Sequence, residues 1–215
     1  AWPNWVLGNH DKPRSATRAG AAQARVAAML LLTLRGTPTM YYGDEIGMHD
    51  VTIPLDRVQD PFEKNVPGLG LGRDPVRTPM QWSSDDSAGF TKGAPWLPVA
   101  DDFQNNNVAA LREQATSLLM LYRRLIELRR AEPALSVGDF AALPAGEDLV
   151  AYLRKAGERR LLIVLNLGSK ERRFNLGQLE AQAALLLSTY LDRKREKLAN
   201  ELRLRADEGI IVQLR

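Results

Sequence analysis

Asn9, His10 and Asp11 stand in a row directly behind an apolar run, Trp5-Val6-Leu7, that stops at Gly8. A buried strand ending this way delivers titratable side chains into a site at its carboxyl end. The same residue types are ordinary turn formers, so a strand followed by a polar turn is the plain alternative. A second group lies further along. Arg73 and Arg77 flank Asp74-Pro75-Val76, and a guanidinium's planar fork suits paired hydroxyl or carboxylate acceptors. Either arginine could instead form an ion pair that braces its own loop, with Asp74, Asp60 or Glu63. Gly68, Gly70 and Gly72 precede them. No Lys-Ser pair or following helix completes a phosphate loop there, so these glycines are read as letting backbone pass close to another group. The chain contains no cysteine, which excludes both a disulfide framework and a thiolate metal site.

The elements that must position these groups follow from spacing. Residues 4–8 read as a strand and 11–17 as the loop after it. Residues 19–34, rich in Ala and Leu with apolar positions at Val26, Met29, Leu30 and Leu34, read as an amphipathic helix stopped by Gly36 and Pro38. Residues 37–42 are β-prone, which makes a parallel βαβ unit. Residues 50–107 are crowded with Pro, Gly and Asp, far longer than an ordinary connection, and read as a functional excursion. Asn107 is placed to cap a short helix and Thr116 a longer one over 117–130, whose stripe is Leu118, Leu121, Tyr122, Leu125 and Leu128. From Gly138 the pattern changes to short Leu, Ile and Val runs at 140–143, 149–153, 161–166, 172–175, 184–188, 202–204 and 210–214. That spacing predicts an antiparallel β-sandwich.

Taken together, the motifs resemble the α-amylase superfamily of glycoside hydrolases. Asn4-Trp5-Val6-Leu7-Gly8-Asn9-His10-Asp11 is similar to its seventh barrel strand. Gly36-Thr37-Pro38-Thr39-Met40-Tyr41-Tyr42-Gly43-Asp44-Glu45 is similar to its eighth. Arg73-Asp74-Pro75-Val76-Arg77-Thr78-Pro79-Met80-Gln81-Trp82 resembles the α-glucosidase and oligo-1,6-glucosidase branch. The resemblance implies an α/β plus all-β chain: the last two βα units of a (β/α)8 TIM barrel over residues 1–137, then an antiparallel β-domain over 138–215. It implies a retaining α-glucosidase that releases terminal α-linked glucose from short oligosaccharides without a cofactor. In that scheme Asp11 stabilises the transition state, His10 bonds hydroxyls of the reacting sugar, and Arg73, with Arg77 as the rival position, clamps the non-reducing end. His10 as a satisfied core histidine is the plain alternative. Glycosidic cleavage also needs a proton donor and a nucleophile. The family carries both upstream of its seventh strand, so the isolated chain is expected to be inactive. Asp44-Glu45 resembles a motif that holds the barrel rim, Lys12 falls where variation with the leaving group is expected, and Trp82 and Trp96 are either loop anchors or stacking platforms for sugar rings. The rival functions are a glucosyl-transferring or isomerising enzyme of sucrose isomerase or trehalose synthase type, and a non-catalytic amylase-like interaction protein.

Composition narrows the partners. The 215 residues are 45% hydrophobic, enough for a sizeable core. The 15 acidic and 15 basic side chains before Gly138 cancel, which leaves the net charge of +3 to the tail. No clustered basic face marks a nucleic-acid partner, and the longest apolar run, 26–34, is too short to span a bilayer. No metal site is expected. The absence of cysteine leans towards the cytoplasm, while an amino-terminal leader is not observable in a chain that opens inside a strand. Barrel strands without neighbours leave edges open, so the chain is expected either to bind a missing amino-terminal barrel part or to self-associate.

Overall fold

The computed structural model of the chain describes residues 1–177, 183–193, 196–198 and 200–214. The chain divides into two compact units. One comprises Ala1–Trp5, Ala22–Thr39 and Leu121–Arg215, the other Val6–Ala21 and Met40–Met120.

The first unit is dominated by antiparallel sheet. Strands β3 (Asp139–Leu143), β4 (Leu149–Ala156), β5 (Arg159–Asn166), β6 (Arg172–Asn175), β7 (Ala183–Ser188), β8 (Lys197–Leu198), β9 (Glu201–Leu204) and β10 (Gly209–Leu214) form a six-stranded sheet in the order β3-β4-β5-β10-β7-β8 and a two-stranded pair, β6-β9. Side chains of a strand alternate between faces. Leu162 and Val164 of β5 therefore join Leu185, Ile210 and Val212 in a core with Phe174, Leu202 and Leu204 of the pair. The opposite face meets the second part of α1 (Ser15–Thr33), where Thr33 Oγ1 lies 2.5 Å from the Tyr152 hydroxyl. Gly209 has no room for a side chain on that face, since a Cβ would sit 2.9 Å from Met29 Sδ. Arg129 of α4 (Leu118–Ala131) donates to the carbonyls of Leu32, in the last turn of α1, and of Leu34 and Gly36 just beyond it. Seven of these strands lie where the apolar runs predict them. The two-residue β8 is too short to show a period.

The expectations around residues 4–42 need correction. Strand β1 (Asn4–Val6) ends before Gly8 and is exposed rather than buried, since among the described residues its only neighbour is β2 (Thr37–Thr39). The segment read as a loop over 11–17 already turns helical at Ser15. Gly20, at φ 80° and ψ 162°, then breaks the helix in a conformation only glycine adopts readily, and the predicted helix is the part beyond it. β2 stops three residues short of Tyr42 because both tyrosine rings leave the strand for Arg14. Ser117, not Thr116, closes the first turn of α4: its Oγ accepts from the Met120 amide at 3.2 Å.

In the second unit the long excursion is not shapeless. It carries α2 (Pro61–Asn65) and short 3-10 turns at Leu55–Arg57, Asp74–Val76 and Asp86–Gly89, with a further turn at Asp44–Ile46 before it and α3 (Val108–Arg112) after it. Asn107 caps α3 through a 2.8 Å bond from the Ala110 amide, as its position predicts.

Candidate active site

Behind β1, Gly8 cannot carry a side chain. A Cβ there would lie 2.9 and 3.0 Å from the two oxygens of the Asp44 carboxylate. Asp44 is buried, with Oδ1 lacking a hydrogen-bond partner among the described residues. Burial pushes its pKa up to about 6, against smaller opposing effects of the Tyr41 amide and Arg14. Asp44 thus sits under the turn that presents the three polar residues. Asn9 shapes that turn, its Oδ1 accepting from the Asp11 amide at 2.9 Å while Asn9 bridges to Lys12.

The structure brings all four candidate residues together. One carboxylate oxygen of Asp11, Oδ1, receives Arg73 Nη1 at 3.3 Å and Arg77 Nη2 at 3.2 Å. The other, Oδ2, lies 3.2 Å from His10 Nε2. Arg77 also donates through Nε to the His10 carbonyl at 3.0 Å. The His10 side chain is 62% exposed in this chain. Asp11 is 44% exposed, so the carboxylate faces solvent with cations along one edge.

Arg73 also makes the bracing ion pair that its loop position allows. Its Nε bonds Asp60 Oδ2 at 2.7 Å, the Arg73 amide joins the same oxygen at 3.0 Å, and the Phe62 ring lies 5.5 Å from the guanidinium. Asp60 Oδ1 meanwhile caps α2 by accepting from the Phe62 amide at 2.9 Å. The Arg73 guanidinium, assisted by these amides, holds the Asp60 carboxyl well below its ordinary range, at about 2. Asp74 is buried in turn and accepts the amides of Gln59 at 2.6 Å and Asp60 at 2.8 Å. The two readings of Arg73 are therefore one arrangement: Nε is spent on Asp60 and Nη1 is left to reach Asp11.

Arg14 was not legible in the sequence. It is fully buried, lies 5.2 and 4.8 Å from the rings of Tyr41 and Tyr42, and donates to the carbonyls of Tyr42 at 2.7 Å and Val76 at 2.9 Å. It ties the segment behind Asp11 to the one that carries Arg77. Its partners are 28 and 62 residues away, a separation that no local pattern reveals. Trp82 and Trp96 are exposed rather than buried anchors, and with Tyr42, Phe90 and Arg77 they line a cavity of about 400 Å³. Among the described residues no group of three or more His, Asp or Glu is placed to hold a metal ion, and no helix is long and apolar enough to cross a membrane.

This geometry can be compared with known proteins. The family described as alpha amylase, catalytic domain, matches residues 1–138. The chain belongs to the α-amylase family. Within it the chain stands in the α-glucosidase branch: it is 36% identical to Maltase A1 of Drosophila melanogaster over 89% of this chain and 35% of that protein. It is 32% identical to the oligo-1,6-glucosidase of Parageobacillus thermoglucosidasius over 100% of this chain and 43% of that one. Among solved structures, trehalulose synthase MutB from Pseudomonas mesoacidophila MX-45 superposes with a TM-score of 0.87 at 30% identity, covering 100% of this chain and 43% of that chain. The Bacillus licheniformis trehalose-6-phosphate hydrolase TreA reaches 0.85 at 27%, over 99% and 43%. The chain thus spans about two-fifths of the length of such relatives.

Proposed function

We propose that this chain is the carboxyl-terminal part of a retaining α-glucosidase acting on short α-linked oligosaccharides. Residues 1–137 supply the last two βα units of a (β/α)8 barrel, and 138–215 the antiparallel domain that follows it. The observation that carries this reading is the Asp11 carboxylate, exposed on one side and bracketed by Arg73 and Arg77 on the other. Cleavage of a glycosidic bond develops positive charge on the sugar ring. A fixed carboxylate beside that ring is worth more in the transition state than in the ground state, which is the requirement for a rate effect. The two arginines hold Asp11 in place and offer donors to the sugar's hydroxyls, and His10 stands beside them. The nucleophile and the general acid come from a preceding part of a longer protein. Asp60 cannot replace either, since its side chain is fully buried against Arg73.

An isomerising relative is the second reading, favoured by the likeness to trehalulose synthase MutB. A non-catalytic scaffold fits less well, because it has no need of Asp11 exposed between two arginines. The test uses the complete protein with an α-glucoside and with sucrose. Hydrolysis of the first, with Asp11→Asn lowering kcat by about 100-fold or more and KM by little, is expected. Conversion of sucrose without net hydrolysis selects the isomerase. A change in KM alone removes Asp11 from the transition state.

The same reading bears on the isolated 215 residues. Trp2, Trp5 and Val6 are exposed around β1, and open strand edges with apolar surface recruit other chains. The isolated chain is expected to show no turnover and to associate in light scattering. A stable monomer that binds no hydrophobic dye overturns the truncated-barrel reading.

A further inference from the structure

Three aromatic rings of the long excursion stay out of its core. Trp82, Phe90 and Trp96 are exposed, Trp96 to 70%, and with Tyr42, Glu45 and Arg77 they line the cavity of about 400 Å³. Their backbone, by contrast, is fixed. The Trp82 amide donates to the Ala88 carbonyl at 2.9 Å, and the Trp82 carbonyl accepts from the Ala109 amide at 3.0 Å. The loop between Trp82 and Phe90 closes through Ser87 and Ala88 at φ 53° and 56°, the left-handed region that residues with a Cβ avoid. The Phe90 amide then donates back to the Ser87 carbonyl at 3.0 Å. Trp96 sits between Pro95, whose carbonyl accepts from Arg57 at 2.9 Å, and Leu97, which is fully buried. Leu97 anchors this stretch, so the Trp96 ring is not needed for that purpose. Rings carried on fixed backbone yet left in solvent are preorganised to stack on a ligand.

The polar part of the lining is unfinished. Thr78 is fully buried, and its hydroxyl has no hydrogen-bond partner among the described residues; nor has Oε2 of the Glu45 carboxylate. Both residues line the same cavity. Buried polar atoms are nearly always paired, so two orphans at one cavity mark it as a place for a polar occupant. Arg77 stands between this cavity and Asp11, with Nε and Nη2 engaged by the His10 carbonyl and the Asp11 carboxylate. The cavity shares no lining residue with the one that Asp11 and Arg73 line.

We propose that the aromatic cavity is a second carbohydrate site, separate from the pocket for the reacting sugar, and that it holds a glucosyl unit of an α-glucan. The choice of sugar rests on the α-glucosidase reading above. A pyranose ring has apolar C–H faces and a rim of hydroxyls. Its face stacks on Trp82 and Trp96, and its hydroxyls meet Glu45 and Arg77. An apolar peptide in the same place would leave the Glu45 carboxylate unmatched. No bond is made or broken there. The site retains a glucan close to the reacting pocket and raises its effective concentration.

The probe is β-cyclodextrin, because a cyclic α-glucan has no chain end to enter the reacting-sugar pocket. Its binding to the complete protein is measured by calorimetry and tryptophan fluorescence, beside turnover of p-nitrophenyl α-glucoside. The expected result is saturable binding that does not compete with that substrate, and a Kd raised about tenfold in Trp96→Ala and in Trp82→Ala, less in Trp82→Phe. Thermal melts show whether each variant keeps its fold, and Trp96→Ala removes the ring with the least buried area. Absence of binding at millimolar probe, equal affinity in wild type and both Ala variants, or competitive inhibition overturns the proposal. Acrylamide quenching that Trp96→Ala leaves unchanged overturns it too, since the ring is then shielded and the cavity seats a preceding part of the protein. Absence of turnover on every α-glucoside refutes the parent reading separately. Cyclodextrin binding, which needs no cleavage, still decides the second site by the same criteria.

Discussion

The tail sheet and the loop-rich region around Asp11 are ordered by opposite means. In the sheet, most buried side chains are aliphatic, with Leu161 to Leu165 in β5 and Ile210 to Val212 in β10 fully buried, and the strand backbone satisfies itself strand to strand, Arg154, Asn166 and Glu208 being buried polar exceptions. In the other region the backbone rarely pairs with itself over more than a turn. Its amides and carbonyls are satisfied by buried polar side chains: Asp60 and Asp74 for amides, Arg14 for carbonyls, and Gln81 and Asn107 for the carbonyls of Asn106 and Phe103. Burying such groups is tolerable only when their bonds are made. A region built this way can place a charged site on irregular backbone. It is also sensitive to the loss of single atoms that a sheet would not notice.

That contrast can be broken by substitution. Leu162→Ala, which empties a fully buried position between β4 and β10, should cost about 2–5 kcal/mol in chemical denaturation. A Leu162→Met change of similar volume should cost less than about 1.5 kcal/mol. Asp60→Ala should cost about 1–3 kcal/mol, because it removes the acceptor of the Phe62 and Arg73 amides and of the Arg73 guanidinium although it removes little volume. A cost for Asp60→Leu far below that for Asp60→Ala would mean that volume, not the polar bonds, matters there and would end the contrast. Asn107→Ala should cost about 1 kcal/mol, the usual worth of a helix cap.

The smallest effect sharpens it through pH. Asp44 has a folded pKa near 6 against an ordinary 3.8, so its carboxylate opposes folding when ionised, and stability should rise as pH falls from about 6 to 4. Asp60 runs the other way. Its folded pKa of about 2 lies below the ordinary 3.8, so its contribution is complete above about pH 4 and is lost as pH falls through 2. Melting temperatures from pH 7 to 2 should therefore pass through a maximum near pH 4. Asp44→Asn should flatten the limb above it and Asp60→Asn the limb below. Limbs that persist unchanged in both variants would assign the profile to other groups.

What the sequence determined by itself follows the same division. Seven tail strands, the α3 cap at Asn107 and the helix beyond Gly20 were readable because they depend on periods and caps within a few residues. Asn9, His10 and Asp11, with Arg73 and Arg77, could be picked out as types and motifs that resemble a family. Their convergence could not. Arg73 and Arg77 lie 62 and 66 residues beyond Asp11, and which guanidinium nitrogen serves Asp60 and which serves Asp11 is a matter of orientation. The end of β2 was misjudged for the same reason: Tyr41 and Tyr42 have strand propensity, but their rings pack against each other and against the buried Arg14 guanidinium. Local patterns report what a residue does with its neighbours in the chain. The placement of Arg14 and the burial of Asp44 beneath Gly8 were decided only when tertiary structure brought groups distant in the chain together.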